Sequence, residues 1–557
     1  MKNLALLSLL ITMSITGFSQ SQRLVMLEHF TQASCGPCAN VNPTIHNLML
    51  NNADKMTTIN YHTSWPGYDP MYLHNTADPS AKVSYYGLNS VPHSVIDGNV
   101  YNGHPDGWTT NMSIINNRYA VPSPFTLSVN QHLSPSNDTL FVTMLVEATA
   151  LVTGPISAYM AVIEKYIHFN TAPGSNGEKD FYNVLKKLLP TKTGVALPTP
   201  MQPGEYVILE YYWVLANVYN LDQLSVVSFI QNPTTKEIHQ AANLMINPMQ
   251  AVYNNDVEAM IITNALPRYC QENLIPKIKI RNNGNNDLTN LTIKYQVNNE
   301  DVHTYQWTGN MDFLDKDILE LPEITYSIQD SNILKVYIDQ VNQTNDEYTK
   351  NDTLVQHFES ALVVEGNQLQ LKIRTDNAPE EVTWEIFNEQ GEVVASGGPY
   401  TEANTMHTEN ITIPAGDYAE CFEFFIYDSG NNGLCCGNGT GLFRLAPASG
   451  NPVIAQGTIF ESQVGAQFLA FTVGINDLET SSEPKVYPNP AGNSLWIEVP
   501  ANKATISITN QLGQIVFEKA NASGKIEINS TQWLNGLYIV TFRSEHGISI
   551  KKINVIK

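Results

Sequence analysis

The chain has 557 residues, 43% of them hydrophobic and 15% charged, and a formal net charge of −23. That length exceeds what one hydrophobic core supports and implies about three to five domains, and the composition is that of folded rather than disordered material. The acidity excludes nucleic acid as a partner, because phosphate binding relies on Lys and Arg displacing counterions.

Lys2 precedes an apolar run at residues 4–15 (LALLSLLITMSI), and Gly17-Phe18-Ser19 follows with a small-x-small pattern. Residues 1–19 therefore read as a signal peptide. A spanning helix needs about 20 apolar residues, and no later stretch is long and apolar enough to cross a bilayer. The mature chain is expected to be soluble or attached from outside.

Residues 24–30 (LVMLEHF) read as a buried strand, and Cys35-Gly36-Pro37-Cys38 then opens a helix reaching residue 50. Residues 57–62 (TTINYH) form a second strand, 78–86 a helix stopped by Gly87, and 91–98 (VPHSVIDG) an X-Pro turn feeding a strand. Residues 107–119 are again helix-like. This alternation predicts an α/β domain over 20–120. Beyond it come short alternating runs at 125–129, 140–146, 158–164, 206–213 and 226–231, punctuated by Asn, Pro, Gly and Ser. They predict a β-sandwich over 121–248. Two further all-β segments follow at 249–360 and 361–475. A polar, aperiodic linker at 476–486 leads to a terminal β-domain at 487–557.

The CxxC pair carries the clearest chemistry. A sulfur at a helix N-terminus faces unpaired amides and the positive end of the dipole, which favour thiolate. Cys35 would be the attacking thiol, and Cys38, one turn along, would resolve the mixed disulfide. A zinc site would need two more ligands. His29, His46 and His62 are near in sequence, but no second CxxC or HxxxH completes a set. His29 reads either as a hydrogen-bonded structural residue or as a proton acceptor for Cys38. The pair itself reads either as redox-active or as a static disulfide on a binding domain.

These residues resemble the thioredoxin fold over about 23–120. Val91-Pro92 falls where that family keeps a cis-proline facing the cysteines, and the resemblance assigns contact with the substrate backbone to Val91. The chain departs from the family in having Ser34 where Trp is frequent. It also has His29, with Glu28 beside it, where a buried acid is usual. The wider stretch to residue 246 resembles the outer-membrane-protein-28-related family of Bacteroidetes. The likeness rests on residues 176–185 (NGEKDFYNVL) with Lys186, Lys187 and Leu189-Pro190. That family joins a thioredoxin-like domain to a β-sandwich.

Residues 270–358 resemble Ig-like surface modules through Ile280-Arg281-Asn282-Asn283-Gly284, Leu288, Ile293, Tyr295, Val297 and residues 345–354 (NDEYTKNDTL). Residues 369–473 resemble a CUB-like sandwich through 383–386 (TWEI), 395–400 (ASGGPY) and 427–436 (YDSGNNGLCC). The Asp/Asn/Gly loop there offers oxygen ligands to calcium through Asp428 and Asn431, with Glu385. The same residues also suit simple turns. No other cofactor is expected. The resemblance implies that Cys421 pairs with Cys435 or Cys436 and leaves one thiol for Cys270; the sequence alone leaves all three pairings of these four cysteines open.

The terminal segment resembles a type IX secretion C-terminal sorting domain, type A. The match rests on residues 487–499 (YPNPAGNSLWIEV), Leu512-Gly513-Gln514, residues 535–540 (NGLYIV), Lys551-Lys552 and Lys557. It implies export through the periplasm to the outer-membrane cell surface or the medium, with the type IX translocon and sorting machinery as partners.

The fold class expected is therefore multi-domain: an α/β thioredoxin-like N-terminal domain followed by several all-β Ig-like and CUB-like sandwich domains. The function expected is thiol–disulfide exchange with protein thiols or disulfides through Cys35, Cys38, Val91 and Pro92. The alternative is a non-catalytic adhesin for a surface ligand. A hydrolase lacks its usual signatures, since neither HExxH nor GxSxG occurs.

Overall fold

The computed structural model describes residues 20–436, 438–472, 484–544 and 547–557. The signal peptide and positions 476–483 of the linker lie outside the described residues. Two compact units divide the chain, Met1–Asn254 and Asn255–Lys557. No described helix is long and apolar enough to cross a membrane.

The first unit begins with β1 (Val25–Thr31), α1 (Gly36–Asn51), β2 (Met56–His62), α2 (Pro70–His74), α3 (Ala77–Tyr86), β3 (His93–Ile96) and β4 (Tyr101–Gly103). Two short helices follow, α4 (Asp106–Thr109) and α5 (Ser113–Tyr119), where the sequence suggested one. Gly87 ends α3 with φ 72°, a left-handed conformation that glycine adopts without penalty. The remaining strands are β5 (Phe125–Leu133), β6 (Thr139–Ala148), β7 (Ser157–His168), β8 (Asp180–Leu189), β9 (Val195–Ala196), β10 (Tyr206–Val214), β11 (Leu224–Gln231) and β12 (Ile238–Asn243).

A self-contained α/β N-terminal domain is not what forms. Strands account for 50% of the structure and helices for 9%, and the strands around the CxxC pair belong to a nine-stranded sheet. Its order is β12-β11-β7-β8-β2-β1-β3-β4, with β9 paired to β7. The sheet crosses residue 120 because β2 and β8 meet in parallel at Asn60↔Val184, where Asn60 Nδ2 also donates to the Tyr182 carbonyl at 2.6 Å. Periodicity marks a strand's buried face but not its neighbour, so this pairing is invisible in the sequence. The expected thioredoxin-like domain is corrected on this point.

Alternation along the strands builds the layers. On one face of the sheet Met26, Phe30, Ile59, Tyr61, Tyr159 and Phe229 pack with Tyr86 of α3. On the other, Val25, Leu27 and Ile96 pack with Val41 and Ile45 of α1, Trp108 of α4 and Ile115 of α5. The far half of that second face, including Met160, Val162, Val226 and Ile230, is covered by the three-stranded sheet β10-β6-β5.

The second unit is all-β. Strands Val257–Ile262, Lys277–Asn282 and Lys316–Glu320 form a sheet that shares one core, including Ile280, Leu291, Tyr295 and Val336, with a five-stranded sheet. A five-stranded and a four-stranded sheet next enclose Trp384, Phe424, Phe443 and Phe468. The last five-stranded sheet, from Lys485–Tyr487 to Gly547–Val555, buries Leu495, Ile497, Val540, Phe542 and Ile553.

Disulfides join Cys270 to Cys421, 151 residues apart, and Cys435 to Cys436. Neither is the Cys421 pairing that the CUB-like resemblance implied. Gln467 sits opposite Glu423 in the sheet register, and its Oε1 accepts the Cys270 amide at 2.9 Å, which brings that distant cysteine to Cys421.

Candidate functional site

Cys35 is the N-cap of α1, with extended φ and ψ of −88° and 107°. Its Sγ accepts the Cys38 amide at 3.1 Å, and the two sulfurs are bonded at 2.04 Å. Gly36 and Pro37 stand in solvent. Cys35 keeps 2% of its exposure and Cys38 none, so attack from solution falls on Cys35. Opposite lies the cis bond Val91–Pro92, with the Val91 carbonyl 3.7 Å from Cys35 Sγ. The four residues singled out in the sequence, Cys35, Cys38, Val91 and Pro92, are thus neighbours in space.

The loop before the helix is held by polar contacts. Asp69 caps α2 through the Met71 amide at 2.9 Å and the Tyr72 amide at 3.2 Å. Its other oxygen takes the Ala33 amide at 2.7 Å and His62 Nδ1 at 2.7 Å. Burial alone would raise this carboxyl, but His62 and the amides outweigh it and hold the pKa below the usual range.

One acid, Glu28, stands beside His29 in the sequence, and of the two only His29 faces α1. Glu28 and His29 are consecutive on β1 and so point to opposite faces. Glu28 is buried with Lys82 at 3.2 Å and the Tyr61 hydroxyl at 2.9 Å, and it also accepts from Tyr86. That charge is paired away from the CxxC side. His29 faces α1, where Nε2 meets Asn42 Oδ1 at 3.0 Å and Nδ1 meets Ser94 Oγ at 3.3 Å. Burial lowers its pKa to about 4, so the ring is neutral at neutral pH.

The residues that sequence reasoning did not connect to this site come from the segment before β8. Asn176 Nδ2 donates to the Cys35 carbonyl at 3.1 Å. Ser175 N donates to Ser34 Oγ at 3.1 Å. Gly174 passes so close that a Cβ there would lie 2.1 Å from the Ala33 carbonyl oxygen. Glu178 accepts Asn42 Nδ2 at 2.9 and 3.1 Å. Resemblance marks the NGEK stretch (residues 176–179), but nothing in its composition points to the cysteines.

The residues expected to offer oxygen ligands to calcium make contacts of their own. Asp428 is buried and its Oδ1 accepts the Asn432 amide at 3.1 Å, while Asn431 is exposed, at φ 57°. Glu385 is hydrogen-bonded to Tyr427. It is Glu381 that reaches this loop, its carbonyl accepting the Ser429 amide at 3.0 Å. Among the described residues no group of three or more His, Cys, Asp or Glu is arranged to hold a metal ion.

Residues 485–557 match the secretion system C-terminal sorting domain. The protein is therefore one exported to the cell surface or secreted, and its terminal domain engages the type IX secretion machinery. No curated protein matches the chain. Among solved structures, HBP35 of Porphyromonas gingivalis is 13% identical with a TM-score of 0.34, over 61% of this chain and 98% of that one. A cell-surface protein domain of Methanosarcina acetivorans is 20% identical with a TM-score of 0.16, over 19% of this chain and 92% of that one. Scores this low carry no argument about fold or function.

Proposed function

We propose that this exported protein exchanges disulfides with protein thiols or disulfides outside the cytoplasm through Cys35 and Cys38. The observation that carries the reading is the position of Cys35 Sγ: at the start of α1, accepting the Cys38 amide at 3.1 Å. A thiolate formed there would be stabilised by the amide and the helix dipole. Cys38, fully buried, then suits the resolving role, shielded from external disulfides but bonded to Cys35. Val91, with its carbonyl beside Cys35 Sγ, suits contact with the backbone of a bound peptide. In the full-length protein, Cys35→Ser should abolish exchange with a disulfide substrate, and Cys38→Ser should accumulate mixed disulfides visible by mass spectrometry. A Cys38→Ser variant that traps nothing overturns the proposal.

The 2% exposure of Cys35 favours a second reading, a static disulfide on a surface adhesin. That reading requires the Cys35→Ser, Cys38→Ser double variant to keep full ligand adhesion. The proposal extends to kinship with the outer-membrane-protein-28-related family, supported by residues 176–190. It also extends to recognition of residues 487–557 by the outer-membrane translocon and their removal on export.

A further inference from the structure

The second unit carries a cleft of about 380 Å³ where its first two β-modules meet. The Cys270–Cys421 bond pins the modules together beside it, and chain neighbours of both cysteines line it, Tyr269 and Gln271 from one module and Glu423 from the other. A cleft of this size at a module junction suits a ligand. Its charge is one-sided. Two carboxylates, Glu323 and Glu423, line it, and among the described residues no Lys, Arg or His does.

Glu323 is exposed and accepts from Asn273. Glu423 is half-buried on the outer face of strand Glu420–Asp428, between the inward Phe422 and Phe424. Among the described residues it meets no cation, and Gln467 Nε2, at 3.3 Å, is its one donor. Gln467 is itself fixed across the junction, because its Oε1 accepts the Cys270 amide at 2.9 Å. Burial raises the Glu423 pKa, the mark of a carboxylate whose lost hydration no counter-charge replaces. A cationic ligand would replace it.

The walls are aromatic, one ring from each module. The Tyr269 hydroxyl is held by the Leu266 amide at 3.0 Å and the Asn264 carbonyl at 3.3 Å. Burial raises its pKa and the Glu423 charge adds to the rise, so ring and carboxylate are neighbours. Phe425 shares the outer face with Glu423 and stands opposite Gly465 in the sheet register. A Cβ at Gly465 would lie 2.5 Å from the Phe425 ring, so this glycine lets the ring lie down on the sheet. A guanidinium fits such a set better than an ammonium, because it stacks on aromatic faces and offers paired N–H donors to one carboxylate. Calcium would want about six to eight oxygen ligands, and no described group of three or more acids is arranged for it.

We propose that this cleft docks an arginine side chain of a protein partner, with Glu423 accepting the guanidinium and Tyr269 and Phe425 flanking it. The site is separate from Cys35 and Cys38 and stands without the exchange reading. An arginine within a chain brings only positive charge to the cleft, whereas free arginine adds a carboxylate that Glu323 and Glu423 repel.

The test titrates the full-length protein at low salt with the capped peptide acetyl-Gly-Arg-Gly-amide, followed by calorimetry, beside its citrulline and lysine counterparts and free arginine. The arginine peptide should bind at a single site. Glu423→Gln, which keeps the shape, should weaken it at least about tenfold. Glu380→Gln, which removes an exposed charge outside the cleft, should change it less than about twofold. Phe425→Leu, which keeps bulk but not the ring, should weaken it about threefold. The neutral citrulline peptide should not bind. Absent binding, equal binding of the citrulline peptide, or equal effects of the two glutamate variants overturns the site. A lysine peptide that binds as tightly overturns the choice of arginine, and tighter binding of free arginine overturns the protein source.

Discussion

Asn176 donates its side-chain amide to the backbone carbonyl of Cys35 at 3.1 Å across 141 residues of sequence. The bond crosses from the approach to β8 to the cap of α1, so the geometry of the cysteine pair depends on chain far outside its own helix. Burial of an amide hydrogen bond of this kind is worth about 1 kcal/mol net, and leaving its partner unmet costs more.

The crossing is tightest at Gly174, where an added methyl would meet the Ala33 carbonyl oxygen at 2.1 Å. Gly174→Ala should push the segment away and destabilise the first unit by about 1–3 kcal/mol. Urea unfolding followed with the Cys35–Cys38 bond intact measures the loss. The same variant should be reduced faster by dithiothreitol, since the cover over Ser34 is displaced.

His29 makes the first unit acid-labile. Its pKa falls from 6.5 to about 4 on folding, so between those values the unfolded chain binds more protons than the folded one. The contribution is complete above pH 6.5 and is lost as pH falls through 4, a swing of roughly 3 kcal/mol. His29→Gln should flatten the dependence of the thermal midpoint on pH in that window.

The second unit holds a titration of the opposite sign. Asp352 is buried, and burial followed by the charges of Asp346 and Asp256 raises its pKa from 3.8 to about 8. The folded state therefore keeps a proton that the unfolded state loses. Its stabilising effect is present below pH 3.8 and disappears as pH rises to 8. Asp352→Asn should raise the unfolding midpoint at pH 8 and leave it unchanged at pH 3, as read by calorimetry.

The Cys270–Cys421 bond closes a loop spanning 151 residues. Replacing both cysteines with Ser should cost the second unit about 2–5 kcal/mol, mainly by freeing the unfolded chain. Denaturation of the double variant and of the native chain under reductant should then coincide.

Deleting residues 485–557 should leave the protein inside the cell envelope. Surface protease digestion and fractionation of the medium check this: the full chain is found outside, and the truncated chain is protected.

Much of the local structure was legible in the sequence. β1, α1, β2 and α3 follow from apolar alternation, the CGPC cap and the Gly87 stop, and the runs at 125–129, 140–146, 158–164, 206–213 and 226–231 all fall within strands. A helix start at Cys35 and Cys38 and an X-Pro turn at Val91-Pro92 were legible as local signals, but their grouping as a set came from the resemblance to the thioredoxin fold. Partnership was not legible. Nothing in Asn60 or Val184 announces that β2 pairs with β8, and Asn176 and Glu178 look like ordinary loop polar residues until the fold brings them to α1. The same holds for Cys270 and Cys421, whose union depends on which sheets meet.

β2 pairs with β1 along Met56–His62 and meets β8 on its other side at Asn60↔Val184. A fragment ending at residue 120 would strip β8 away and uncover the side of β2 that meets it at Asn60. Such an exposed edge recruits strands from other molecules. Self-association, rather than a soluble miniature of the redox centre, is what that fragment should deliver.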